Sequence, residues 1–336
     1  MDQRAHRDSE PGHGGDSPHE HEHGHGHGLG HQHGVSADAD RRYLTAALAL
    51  IAGFLAIEVV VGIIAGSLAL ISDAGHMLTD AGAILMALVA MRLAAREARG
   101  AFTYGLQRAE VVSAQVNGFT LLLLAGYFTY EGVSRLVHPV VVDGSWVIAT
   151  ALTGIAVNVV ATWLLAKADR TSLNVEGAFQ HLLNDLYAFI GTALSGVVVW
   201  LTGWNRADAV ATLIVAALMA KAGWGLVREA GRIFMEAAPR GMRPDEIGAG
   251  TAALDKVVEV HDLHLWEVSS GRPSLSAHIL VAPDADCHAV RQAAERLVRT
   301  SYGIRHSTLQ VDHIPVGVAA GSLAHCGEPH GPAHRR

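Results

Sequence analysis

Two short stretches, His76-Met-Leu-Thr-Asp80 and His181-Leu-Leu-Asn-Asp185, share a His-x-x-x-Asp spacing inside otherwise apolar surroundings. On an α-helix, residues four apart lie about 40° apart around the axis and one turn along it. Each stretch therefore presents an imidazole and a carboxylate in one direction. If the two helices face each other, two nitrogen and two oxygen donors converge, the number and chemistry of a tetrahedral Zn²⁺ site. Two carboxylates also neutralise a divalent cation. Without the cation they repel, which returns protons to the carboxylates or the histidines. A single such pair is explained as well by hydrogen bonding between helices. The same spacing in two separate apolar segments, where ionisable groups are costly, favours a functional reading. Asp73 lies on a similar face one turn before His76 and is left open among proton relay, ligand and structural roles. Asn117, Glu131 and Asp208 read as helix-packing groups.

The elements that must position these residues are long apolar runs. Half the residues are hydrophobic, only 17% are charged, and the mean hydropathy is +0.26, which together indicate a multi-span membrane protein. Six segments, 43–65, 67–91, 111–136, 144–166, 176–202 and 207–235, are each long enough to span hydrocarbon as a helix. The first two are joined by little more than Ala-Gly-Ser and must form a tight hairpin. Arg41 and Arg42, then Arg92, Arg96, Arg99 and Arg108, then Lys167 and Arg170 mark alternate connections, whereas the connections between them are poorer in basic residues. The positive-inside rule therefore places both termini in the cytoplasm. Residues 1–40, with His-Glu-His-Gly-His-Gly-His at their centre, have no material for a core; they read as a disordered tail, either suited to weak metal exchange or without a metal role, and show no apolar leader segment. The net charge of −7 argues against a nucleic-acid partner. Cys287 and Cys326 lie at no metal-finger spacing and imply no disulfide framework.

After Met235 the composition turns soluble. A helix over 242–257, strands over 257–268 and 274–283 around a Ser-Ser-Gly-Arg-Pro turn, a helix over 287–302 and a strand from His306 give the order α-β-β-α-β. That order suggests a ferredoxin-like α+β layer. The chain thus divides into a His-rich tail (1–40), a six-span α-helical membrane domain (41–236), an αββαβ domain (237–316) and a flexible C-terminal tail (317–336).

The stretches SLALISDAGHMLTD, FTYGLQRAEVVSAQVNG, SLNVEGAFQHLLNDLYAFIG and VHDLHLW, in this order, resemble segments of the cation diffusion facilitator family in its zinc-transporting branch, of the bacterial type with a His-rich N-terminal tail. The resemblance covers residues 41–315. It implies a homodimer of six-span protomers in the bacterial inner membrane, exporting Zn²⁺ in exchange for protons and needing no cofactor. By the same resemblance the transport site falls on His76, Asp80, His181 and Asp185, and a regulatory zinc site of the cytoplasmic domain on His261, His278, His288 and Asp312. Cd²⁺ and Co²⁺ fit the same donor set. The sequence departs from some relatives in having no histidine between the second and third spans, or between the fourth and fifth. Two alternatives remain: a zinc-dependent membrane hydrolase and a non-transporting metal sensor. The hydrolase needs an open coordination position and a general base, and no His-Glu-x-x-His occurs; the sensor needs an output motif, and none is seen.

Overall fold

The computed structural model describes residues 37–65, 68–139, 144–314 and 331–335. The His-rich segment of residues 1–35 and most of the tail from 315 onward, with Cys326, lie outside the described residues. Each of the six apolar segments is a helix: α1 (Ala37–Ala65), α2 (Leu68–Ala94), α3 (Ala109–Val137), α4 (Gly144–Leu165), α5 (Leu173–Thr202) and α6 (Arg206–Phe234). Among the described residues, α3, α5, α6 and the Met77–Ala94 part of α2 are long and apolar enough to cross a membrane. Leu123, Tyr130, Leu194, Trp200 and Leu201 stand exposed on the outside of the bundle, as side chains facing lipid would.

Among the described residues the helices pack around three apolar clusters, the smallest formed by Val111 of α3 with Ala230 and Ile233 of α6. Leu44, Ala47 and Ile51 of α1, Met77, Ile84 and Met91 of α2, Ala161 and Leu165 of α4, and Val175, Phe179 and Leu182 of α5 form the largest one. Leu121 and Ala125 of α3 meet Val215, Met219 and Leu226 of α6 in the second. At the second seam the backbones themselves touch: a Cβ on Gly223 would lie 2.8 Å from the Gly118 carbonyl oxygen, and one on Gly118 would lie 3.1 Å from that of Gly223. Membrane helices associate through such small residues because lipid removes the hydrophobic drive between them. Gly223→Val is therefore expected to cost about 2 kcal/mol through overpacking, read as a lower thermal midpoint in detergent. An unchanged midpoint would show that α3 and α6 part freely.

The C-terminal domain runs α7 (Pro244–Ala252), β1 (Val257–Glu267), β2 (Pro273–Val281), α8 (Cys287–Tyr302), β3 (His306–His313) and β4 (His334–Arg335). Its sheet has the order β3-β2-β1-β4, with β1 antiparallel to β2 and β4, and β2 parallel to β3. α8 buries Val290, Ala294 and Val298, one turn apart each, against Val260, Ile279 and Val281 of the sheet. Asp286 caps it, accepting from the N–H groups of His288 and Ala289. The expected α-β-β-α-β order is present in an α+β domain with a mixed sheet. One strand differs from expectation: residues 334–335, assigned to a free tail, lie as β4 on the outer edge of β1. Arg335 Nε donates to Glu259 Oε2 at 2.7 Å, and among the described residues His334 and Arg335 alone pair on that edge of β1. A charged two-residue strand carries no alternation to read.

The two domains meet at one end of the bundle. Tyr104, in the α2–α3 connection, meets His306 of β3 edge-on with ring centroids 6.1 Å apart.

Candidate metal centre

Antiparallel packing of α2 against α5 brings Asp80, His181 and Asp185 together in the middle of the largest cluster. All three are buried, at 0%, 0% and 1% exposure. His181 Nε2 lies 3.1 Å from Asp80 Oδ1 and 3.8 Å from Asp185 Oδ2. One donor atom from each residue falls within 4.8 Å of the others, and among the described residues no other group of three His, Cys, Asp or Glu does so. α2 is continuous from Leu68, which puts His76 one turn before Asp80 along the helix. The side chains of His76 and Asp73 lie outside the described residues.

Two carboxylates and an imidazole in an apolar interior cannot all stay charged and unpartnered at acceptable cost. Two states satisfy them. In one, Nε2–H donates to the carboxylates and protons offset the charge. In the other, a divalent cation replaces the protons and takes the Nε2 lone pair together with one oxygen from each aspartate. The donor set is nitrogen and oxygen only, which suits Zn²⁺ and its borderline neighbours.

The register that aligns these three side chains is held by a residue sequence reasoning did not single out. Asn174, buried near the start of α5, donates from Nδ2 to the Ala87 carbonyl of α2 at 2.8 Å. Asn174 is seven residues before His181 and Ala87 is seven after Asp80. Seven residues is close to two turns, so this bond repeats, two turns along, the level at which Asp80 meets His181. The signal available in sequence was only a buried-type polar residue on the His181 face.

Of the packing groups, Glu131 and Asp208 both bind Arg135, at 2.8 Å and 3.1 Å, and Ser195 Oγ donates to Asp208 at 3.3 Å. This network ties α3, α5 and α6 at the end of the bundle away from the C-terminal domain. Asn117 is buried on α3, its amide nitrogen beside Gly177 of α5.

In the C-terminal domain, His261 and His278 are register partners across β1 and β2, with ring centroids 4.7 Å apart. His278 Nε2 lies 2.7 Å from Asp312 Oδ2, and Gln310 Nε2 donates to the same oxygen at 2.8 Å. His261 Nδ1 lies 3.2 Å from Glu259 Oε1. A bulge follows immediately, with Asp262 at φ 51°, so that two residues of β1, Asp262 and Leu263, oppose the single residue Ala277 of β2 between the His261 and His264 pairs. Three of the four expected residues thus share one patch. His288 is exposed on the first turn of α8, where its N–H donates to Asp286.

Residues 44–235 match the family described as the cation efflux transmembrane domain, and residues 239–314 match the cation efflux protein, cytoplasmic domain. The chain is 32% identical over 280 residues to the zinc transporter ZitB of Escherichia coli, covering 83% of this chain and 89% of that protein. It is 31% identical over 279 residues to a cadmium, cobalt and zinc/H(+)-K(+) antiporter of Bacillus velezensis, covering 82% and 89%. It is 32% identical over 280 residues to the cation efflux system protein CzcD of an Alcaligenes species, covering 82% and 88%. A family of cation carriers leaves no place for the hydrolase alternative, and both halves of the fold fall in its two matched regions: the chain belongs to the cation efflux family of membrane transporters.

Proposed function

We propose that this protein exports a divalent metal, Zn²⁺ foremost, from the cytoplasm in exchange for protons, and that Asp80, His181, Asp185 and His76 carry the ion. The observation that supports this most strongly is the convergence of two carboxylates and an imidazole from α2 and α5 in a buried setting. The relatives' names favour zinc, with cadmium and cobalt as further substrates. Both termini face the cytoplasm of a bacterial inner membrane, on the basis of the arginine distribution along the connections. The protein works as a homodimer, in keeping with the match of its C-terminal domain. His261, His278 and Asp312, joined by His288, bind zinc as a regulatory ligand, and the His-rich tail is accessory. The chain divides functionally at about residues 40, 236 and 316, as read from composition. Zinc uptake into inverted vesicles under an imposed pH gradient tests the reading; a sensor that does not transport would bind zinc and accumulate none.

Selectivity gives a separate check. His76→Asp replaces a borderline nitrogen with a hard oxygen and adds a negative charge, so the Zn²⁺ to Cd²⁺ or Mn²⁺ flux ratio should fall on the order of tenfold. Unchanged ratios in competition uptake would place selectivity elsewhere.

A further inference from the structure

The turn between β1 and β2 is a braced projection. Gly271, at φ +71°, takes the left-handed conformation that the turn needs, and its N–H donates to Glu267 Oε1 at 3.0 Å. The Arg272 N–H donates to the Ser269 carbonyl, and the Val268 N–H to that of Arg272. Burial pushes the Glu267 carboxyl above the usual carboxylate range; the Gly271 N–H pulls it back, Glu229 adds repulsion and Arg232 relieves it. Glu229 and Arg232 belong to α6, so the turn abuts that helix. Its tip reaches a second membrane helix: Ser270 Oγ accepts from the backbone N–H of Leu173, the first residue of α5, at 3.2 Å.

Helices begin with amide groups that lack partners within the helix, and a side-chain oxygen normally supplies one from the preceding residue. Ser172 stands in that place, extended at φ −72° and ψ 122°, yet makes no cap. Its hydroxyl donates to Glu110 of α3 at 3.2 Å instead. The start of α5 is therefore tied to α3 through Ser172, to α2 through Asn174, and to the C-terminal domain through Ser270.

We propose that Ser270 is a positioning residue for the cation centre: it caps α5 from the C-terminal domain and so fixes the helix that presents His181 and Asp185. The inference rests on the reading of that centre as the transport site. From Leu173 to His181 is eight residues, or about 12 Å of helix. A ligand set works only when held within about 0.5 Å of its productive geometry, so a small axial slip at the start of α5 is felt at the ion. β1 and β2, which carry His261 and His278, run directly into this turn. Events at that histidine patch thereby gain a mechanical route to the metal.

The test uses the full-length protein in lipid nanodiscs and proteoliposomes, with Zn²⁺ as the probe. Ser270→Ala should speed hydrogen exchange at the first turn of α5 and lower zinc flux about fivefold, the usual worth of one helix cap. Ser270→Thr keeps the hydroxyl and should restore both, while Ser172→Ala should leave the exchange unchanged. Leu173→Pro removes the donor from the other side; proline is favoured at a first helical position, and Ser172 already has the extended backbone that must precede it. In that background Ser270→Ala should have no further effect on flux, which a merely structural role elsewhere would not reproduce. Faster exchange without a flux change, a flux change without faster exchange, failure of the threonine to rescue, or additive losses in the double variant would each overturn the proposal. Wild-type vesicles without zinc flux would instead refute the transport reading, and the exchange measurements would still decide the cap.

Discussion

Asp185→Ala protein reconstituted into vesicles is expected to lose at least about 100-fold of its zinc flux while inserting and assembling as the wild type does. The size follows from two effects acting together. Removing even a group that supports a metal ligand costs 10–100-fold in affinity or activity, and here a proposed ligand itself goes. The loaded centre would also keep an uncompensated positive charge at a position with 1% exposure, between helices in a low-dielectric interior. Asp80→Ala should behave alike, since Asp80 Oδ1 is the carboxylate oxygen nearest His181 Nε2, at 3.1 Å. Asp185→Asn keeps the shape and removes the charge, so it separates the two effects. Full zinc uptake by either alanine variant would remove these residues from the transport site.

Proton coupling should be as plain. In the proposed site Asp80, His181 and Asp185 would bind the metal in their deprotonated forms, so protons and Zn²⁺ would compete for the same atoms. Lowering pH on the metal-entry side fills the centre with protons and weakens zinc binding; raising it does the reverse. The apparent KM for zinc should rise about tenfold per pH unit for each competing proton below imidazole's ordinary pKa of about 6.5. On the release side, acid should speed efflux by displacing the metal, so a gradient acid outside drives export and its collapse slows it. The carboxylates and the imidazole titrate as a set, and the curve reports the set as a whole. Zinc flux that stays constant from about pH 5.5 to 8, with no proton counterflow, would leave only facilitated diffusion.

Much of this architecture was legible because membrane helices carry their own signature. The six apolar runs became α1 to α6, with ends displaced by a few residues, as at α1, whose polar residues 37–42 precede the apolar run. His76, Asp80, His181 and Asp185 stood out because charge is expensive among leucines and alanines. What escaped were contacts whose partners are backbone groups on other elements. Asn174 meets the Ala87 carbonyl, and Ser270 meets the Leu173 amide across a domain boundary, so neither partner has a residue type to read. Ser172 misleads in the opposite sense: it has the type and place of a helix cap, and Glu110 takes its hydroxyl. Arg135 was not singled out in sequence, whereas in the fold it is the common partner of Glu131 and Asp208. In the C-terminal domain the strands were legible by alternation, but the bulge at Asp262 was not, because a bulge changes pairing without changing composition.

The short strand β4 alters how the C-terminal domain meets other proteins. A sheet edge is a row of unsatisfied N–H and C=O groups, and a long one invites a foreign strand to add itself. β1, eleven residues long and apolar over much of its length, would be such an edge. With His334 and Arg335 seated on Val260 and Glu259, the strand at that side is two residues long and basic. A second chain seeking to pair there must first displace the Arg335–Glu259 ion pair and then accept a ladder interrupted at its centre. His334 and Arg335 thus blunt this edge of β1 against the addition of a further strand.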